Sequence, residues 1–184
     1  MLCLFAAVAS GLAGCAPGND LPPLPQADQA SGRYRLGPGD QLHIIIFGED
    51  QLTGSFTVDD SGGVALPLIG IVSAPGLTPE ELASKIAQRL RKQNLLADPN
   101  VTVSVTKYRP IYILGEVSKP GEYPFEPGMT LLSAVSVAGG FTYRGIQDYA
   151  SVVRVIDDKV VESKVTRQTL IRPGDVITVF ERHF

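Results

Sequence analysis

Few residues in this chain could do covalent chemistry, and Cys15 is the one with a setting that suits it. It closes the run Leu12-Ala13-Gly14-Cys15, in which small side chains fit a peptidase cleft and a thiol follows as nucleophile. From Met1 to Ala13 the chain carries no charge, and Leu2 to Ala9 is apolar. That run is too short to span a bilayer, which takes about 20 residues, but has the length of a signal-peptide core. The arrangement looks like a bacterial lipobox, with Cys15 lipidated and becoming the first mature residue. The alternative is an ordinary secretory signal with an incidental cysteine. No Lys or Arg precedes the apolar run, and a start codon placed slightly too late is the simplest explanation. Cys15 would then be the sole cysteine after cleavage, which excludes an intramolecular disulfide.

Other candidates for catalysis are weak. His43 lies inside an expected strand and His183 beside the last residue, neither in a nucleophile-base motif. The pairs Asp59-Asp60 and Asp157-Asp158 could suggest glycosidase carboxylates. Neighbours on a strand point to opposite faces, however, and both pairs fall in expected turns, where Asp is favoured. Gly62-Gly63 and Gly139-Gly140 lack the Lys-Ser/Thr of a phosphate loop. No His/Cys cluster or acidic calcium loop appears, so no metal and no cofactor is expected. The chain does not read as an enzyme. A net charge of −3 argues against nucleic acid. Lys85, Arg89, Arg91 and Lys92 read as cations at the negative end of a helix dipole. Tyr108, Tyr112, Tyr123 and Tyr143 could stack on sugars, with packing inside a sheet as the default.

The elements that would position these residues are short. Residues 1–14 read as the signal peptide and 15–32 as a lipid-anchored tether, because Pro17, Pro22, Pro23 and Pro25 favour extended chain without apolar periodicity. At about 3.1 Å per residue such a tether reaches on the order of 50 Å. Residues 33–110 and 111–184 read as two small α+β units, each a mixed sheet carrying one helix. In the first, Gln41 to Phe47 is a strand. Phe56-Thr57-Val58 and Val64-Ala65-Leu66 flank Asp59 to Gly63 as a hairpin. Thr78, Pro79 and Glu81 open a helix with a capping box. Val101, Val103 and Val105 alternate with Thr102, Ser104 and Thr106 as a half-buried strand. In the second, Ile111 to Val117 is a strand, Thr130 caps a short helix ending at Gly139-Gly140, and strands follow at 150–155, 160–165 and 176–180. The units echo each other: Leu36-Gly37-Pro38-Gly39-Asp40 resembles Ile171-Arg172-Pro173-Gly174-Asp175.

Several stretches resemble a known family. Tyr34 to Leu42, Asp59 to Gly70, Leu77 to Leu82 and Asp98 to Val103 resemble the N-terminal domain of bacterial polysaccharide biosynthesis/export lipoproteins. Gly115 to Tyr123, then Ala138-Gly139-Gly140-Phe141, resemble that family's soluble-ligand-binding β-grasp domain. The resemblance implies export of capsular, exopolysaccharide or holdfast-like glycan, with the protein held at the outer membrane by its lipid and facing the periplasm. It also implies a homo-oligomeric ring and an inner-membrane co-polymerase as partner. Larger members carry more β-grasp domains and a C-terminal amphipathic helix that builds the outer-membrane pore. This sequence has one such domain and stops at Glu181-Arg182-His183-Phe184 after the last expected strand, so a separate outer-membrane β-barrel is the expected exit. The alternative is a periplasmic module that senses a glycan ligand and regulates its synthesis.

Overall fold

The computed structural model describes residues 17–25, 34–156 and 159–182. It contains two hydrophobic cores that share no residue, one running from Leu36 to Leu90 with Val101, Val103 and Val105 against it, the other comprising Leu24 and residues from Ile111 to Val179.

In the first domain β1 (Gln41–Ile46) is central, antiparallel to β2 (Gly54–Thr57) on one side and to β5 (Val101–Lys107) on the other. Leu42, Ile44 and Ile46 point into the core, as the two-residue period requires. A separate hairpin pairs β3 (Gly63–Leu66) with β4 (Gly70–Ser73). Helix α1 (Pro79–Lys92) buries Leu82, Ile86 and Leu90. Its start is the expected capping box: the Glu81 N–H donates to Thr78 Oγ1 at 3.3 Å, and the Thr78 N–H to Glu81 Oε2 at 2.9 Å.

The expected hairpin between residues 56–58 and 64–66 does not form. Its turn is present, with the Asp59 N–H bonded to the Gly63 carbonyl at 2.8 Å, but the arms part beyond it. Phe56 is claimed by Leu42 of β1, and Val64 by Val72 of β4. Each arm has an alternative partner with which it closes a longer ladder, and turn chemistry at 59–63 does not decide between them.

The second domain is one five-stranded sheet in the order β7 (Gly121–Tyr123), β6 (Ile111–Gly115), β10 (Val176–Val179), β8 (Tyr149–Ile156), β9 (Lys159–Thr166). The β6–β10 pair is parallel and the others antiparallel. Helix α2 (Leu131–Val137) buries Leu131, Ala134 and Val135 against the sheet, and Thr130 caps it with Ser133 in the reciprocal position. Gly139 and Gly140 follow at φ +84 and +86, the left-handed backbone that ends a helix cheaply in glycine. With the first domain this is an α+β chain.

Residues 17–25 do not behave as a free tether. Pro23 forms a parallel bridge with Lys164 on β9, the Lys164 N–H donates to the Pro22 carbonyl at 2.8 Å, and Leu24 is 3% exposed inside the second core. The segment is a strap on the sheet edge. Proline keeps it extended, an open edge strand offers unpaired backbone groups, and one leucine supplies the apolar contact.

Candidate functional site

The two Pro-Gly-Asp turns organise the region where the domains meet. In each, glycine takes the left-handed position of a type II turn, Gly39 at φ +92 and Gly174 at φ +87. The aspartate then donates its N–H back across the turn, Asp40 to the Gly37 carbonyl and Asp175 to the Arg172 carbonyl. Its carboxylate folds over the turn and accepts in return, from the Gly37 N–H at 2.9 Å and from the Arg172 N–H at 2.7 Å. Both carboxylates are buried.

A buried carboxylate needs a cation or several donors, and the two turns meet that need differently. Asp175 is gripped by both arms of Arg154, Nε at 2.8 Å and Nη2 at 2.6 Å, a bidentate pair with both side chains under 5% exposed. Burial pushes the Asp175 carboxyl up from its ordinary value, while the Arg154 hydrogen bonds and charge pull it down. Asp40 accepts instead from the Tyr34 hydroxyl and from the Arg109 backbone N–H at 3.2 Å, with Arg109 Nε 3.5 Å away outside hydrogen-bond alignment. Burial first, then the bond to Asp40, raises the Tyr34 phenol well above its ordinary value.

Arg109 belongs to both turns. A Cβ built on Gly37 would lie 2.7 Å from its Nη1, and one on Gly174 would lie 3.7 Å from the same atom. Beside it, Tyr34, Tyr108 and Phe125 stack edge to face, with centroids 4.9 and 5.5 Å apart. Tyr34 and Phe125 come from different domains, so the aromatic row and Arg109 fasten the junction.

A second feature is the outer face of the β2–β1–β5 sheet. Gln41 lies opposite Thr57, His43 lies between Ser55 and Ser104, and Ile45 lies opposite Thr102. With Thr106, whose hydroxyl donates to the Gln41 carbonyl at 3.1 Å, these residues form a face of hydroxyl, amide and imidazole groups. None of those eight side chains is a carboxylate, ammonium or guanidinium. Phe47 follows at the end of β1, 81% exposed. Lys107, the β5 partner of Gln41, adds an exposed ammonium at one edge of this face. Such a surface offers many weak hydrogen bonds and one ring for stacking.

The residues weighed for chemistry end up apart. Cys15, His183 and the Asp157-Asp158 pair lie outside the described residues. Asp59 sits in an exposed turn, its carboxyl held below its ordinary value by the Ser61 hydroxyl and the Gly63 N–H. Tyr108 packs at the junction, and Tyr123 packs against the second core with its hydroxyl on the Lys119 carbonyl. Tyr112 and Tyr143 are exposed. Lys85 and Arg89 do more than match a dipole, since they donate to the Ser73 carbonyl at 2.9 Å and the Ile71 carbonyl at 2.6 Å and tie α1 to β4. A shallow depression on α1, lined by Glu80, Glu81, Ser84, Lys85 and Gln88, gathers no nucleophile-base pair. Among the described residues no group of three or more His, Cys, Asp or Glu could hold a metal, and no helix is long and apolar enough to cross a membrane.

Sequence reasoning missed Arg109 and Arg154. For Arg154 a signal exists: it stands in a β-branched run, in phase with the inward-facing Ala150 and Val152. An arginine on a core face implies a buried anion, and the Pro-Gly-Asp echo supplies it.

Two stretches of the sequence match known families. Residues 28–106 match the family model described as polysaccharide biosynthesis/export protein, and residues 110–163 match the SLBB domain. Over 118 residues the chain is 38% identical to the exopolysaccharide production protein ExoF of Rhizobium meliloti, covering 58% of this chain and 28% of that protein. It is 25% identical over 187 residues to the EPS I polysaccharide export outer membrane protein EpsA of Ralstonia nicotianae, covering 81% and 48% respectively. It is 29% identical over 109 residues to the polysialic acid transport protein KpsD of Escherichia coli, covering 58% and 19%. The chain therefore spans less than half the length of each of these relatives.

Proposed function

The chain belongs to the polysaccharide biosynthesis/export family, and from that premise we propose that it is a non-enzymatic component of a polysaccharide export machine, held at the outer membrane by a lipid on Cys15. The observation that carries the reading is the succession of an export domain and an SLBB domain on one chain. In this proposal the protein forms a homo-oligomeric ring or adaptor in the periplasm, beneath a separate outer-membrane β-barrel and above an inner-membrane co-polymerase. The substrate is a capsular, exopolysaccharide or holdfast-like glycan. The hydroxyl-rich face of β2–β1–β5, with Lys107 as a cation at its edge, supports this physically, because a hydrated glycan slides best past a wall that binds weakly at many points. A sensing role rests on the SLBB domain alone and leaves the export domain without a purpose.

Cys15→Ser tests the anchor and its link to export. The variant should lose fatty-acid labelling, appear in the soluble periplasmic fraction and carry less glycan to the surface. Full membrane retention of the variant would sink the anchor. Detergent-extracted native protein should sediment as a ring, and a stable monomer that binds a short glycan tightly would favour sensing instead.

A further inference from the structure

The strap leaves little slack between the second domain and Cys15. The Tyr149 hydroxyl donates to the Pro17 carbonyl at 3.0 Å. Gly18 lies so close to the ring of Phe180 that a Cβ there would come within 2.2 Å of it. Lys164 Nζ donates to Asn19 Oδ1, its ammonium 4.3 Å from the centre of the Tyr149 ring. The chain is therefore fixed as far back as Pro17, two residue steps from Cys15. At roughly 3.3–3.6 Å per extended residue, those two steps span about 7 Å. A lipid on Cys15 would enter its leaflet beside Pro17, far short of what a free tether through residue 32 would permit.

The surface beside Pro17 is one end of the second domain. The Phe180 carbonyl accepts from the Ile146 N–H at 2.8 Å, Glu181 bridges Gly145, and the Arg182 N–H donates to the Arg144 carbonyl at 2.8 Å. The Arg182 guanidinium reaches the Tyr143 carbonyl at 2.7 Å, and Arg144 pairs with Glu181. Tyr143 tops this end, 82% exposed. An amphipathic phenol is at home at headgroup depth, and guanidinium groups suit phosphate oxygens.

We propose that the end of the second domain formed by residues 143–146 and 180–182 is a phospholipid-contacting face, held against the leaflet by the docked strap. The proposal rests on the lipid-anchor reading of Cys15; the docking of the strap does not. The face orients the subunit: the second domain sits at the bilayer, and the β2–β1–β5 face of the first domain is displaced from it.

The chain contains no Trp, so one introduced indole reports alone. Tyr143→Trp and, as a control on the first domain, Thr57→Trp are made in the whole processed chain beginning at Cys15. Each is coupled through Cys15 to vesicles of phosphatidylcholine and phosphatidylglycerol that contain maleimide-phosphatidylethanolamine and brominated acyl chains. Tyr143→Trp should be quenched several-fold more strongly than Thr57→Trp. A long Gly/Ser spacer inserted between Ala16 and Pro17, which alters no described contact, should abolish the difference. Equal quenching of the two probes without the spacer would overturn the face. Fatty-acid labelling of the protein in cells tests the anchor separately, and unlabelled Cys15 would remove the cellular basis of the face whatever the vesicles show.

Discussion

Replacing Arg154 by methionine should be among the most damaging single substitutions in the second domain. Arg154 is 4% exposed and holds both oxygens of Asp175, itself 1% exposed, at 2.8 and 2.6 Å. Methionine fills much of the space and supplies no charge. Asp175 would keep the Arg172 N–H at 2.7 Å and lose its cation. Breaking one side of a buried pair costs about 3–5 kcal/mol. A domain of about 70 residues has only about 4–10 kcal/mol in total. A loss of about 3 kcal/mol corresponds to roughly 12–24 °C in Tm. Burial already pushes Asp175 above its ordinary 3.8, and losing Arg154 removes the main opposing influence. A raised carboxyl favours folding below its unfolded pKa, and that contribution is lost as pH rises through the folded pKa. The deficit should therefore be smaller near pH 4 than at pH 7. Adding Asp175→Asn should recover part of the loss at pH 7 and flatten that pH dependence. Urea unfolding followed by circular dichroism, for both variants and at both pH values, measures all of this. A loss below about 1 kcal/mol for Arg154→Met at pH 7 would refute the reasoning, because it would place the pair in the range of exposed ion pairs.

Three further outcomes follow from single positions. Gly115→Ala should cost at least about 3 kcal/mol in urea unfolding, since Gly115 is at φ +80 and a Cβ would lie 2.1 Å from the Val179 carbonyl, forcing the β6–β10 ladder apart. Leu68→Gly should stabilise the first domain by about 1 kcal/mol, read as a higher urea midpoint, because Leu68 is exposed at φ +64 in the β3–β4 turn. In an ultraviolet titration one of the six tyrosines should keep its proton beyond the ordinary value of 10.0, and Tyr34→Phe should remove it. The raised phenol contributes stability that is present below pH 10 and lost as pH rises through the folded value, so Tyr34→Phe should also flatten the alkaline loss of stability.

What could be read in the sequence was local. Thr78, Pro79 and Glu81 lie within four residues, and the bonds that start α1 involve those same groups, so the helix was legible before any fold was known. The two Pro-Gly-Asp turns were visible as an echo, but their partners were not. Arg109 reaches Asp40 across 69 residues and Arg154 reaches Asp175 across 21, and no spacing rule connects them. Strand pairing failed for the same reason at residues 56–66, where the choice lay with β1 and β4 and not with the intervening turn. The strap was concealed by its own composition. Four prolines read as a leash, yet proline also preorganises an extended segment for a sheet edge, and Leu24 was the one residue whose burial decided the outcome. The hydroxyl-rich face of β2–β1–β5 was half legible: the alternation of β5 showed which residues face out, and only the pairing with β1 and β2 showed that they form one surface, with Lys107 beside Gln41 at its edge.

The most direct test of the central claim is the distribution of glycan in cells that lack this gene, compared with complemented cells and with the synthesis genes intact. The export account predicts that surface glycan is lost while polymer accumulates inside the cell, and that the intact gene restores the surface. Unchanged surface glycan, with only the timing or amount of synthesis altered, would contradict it.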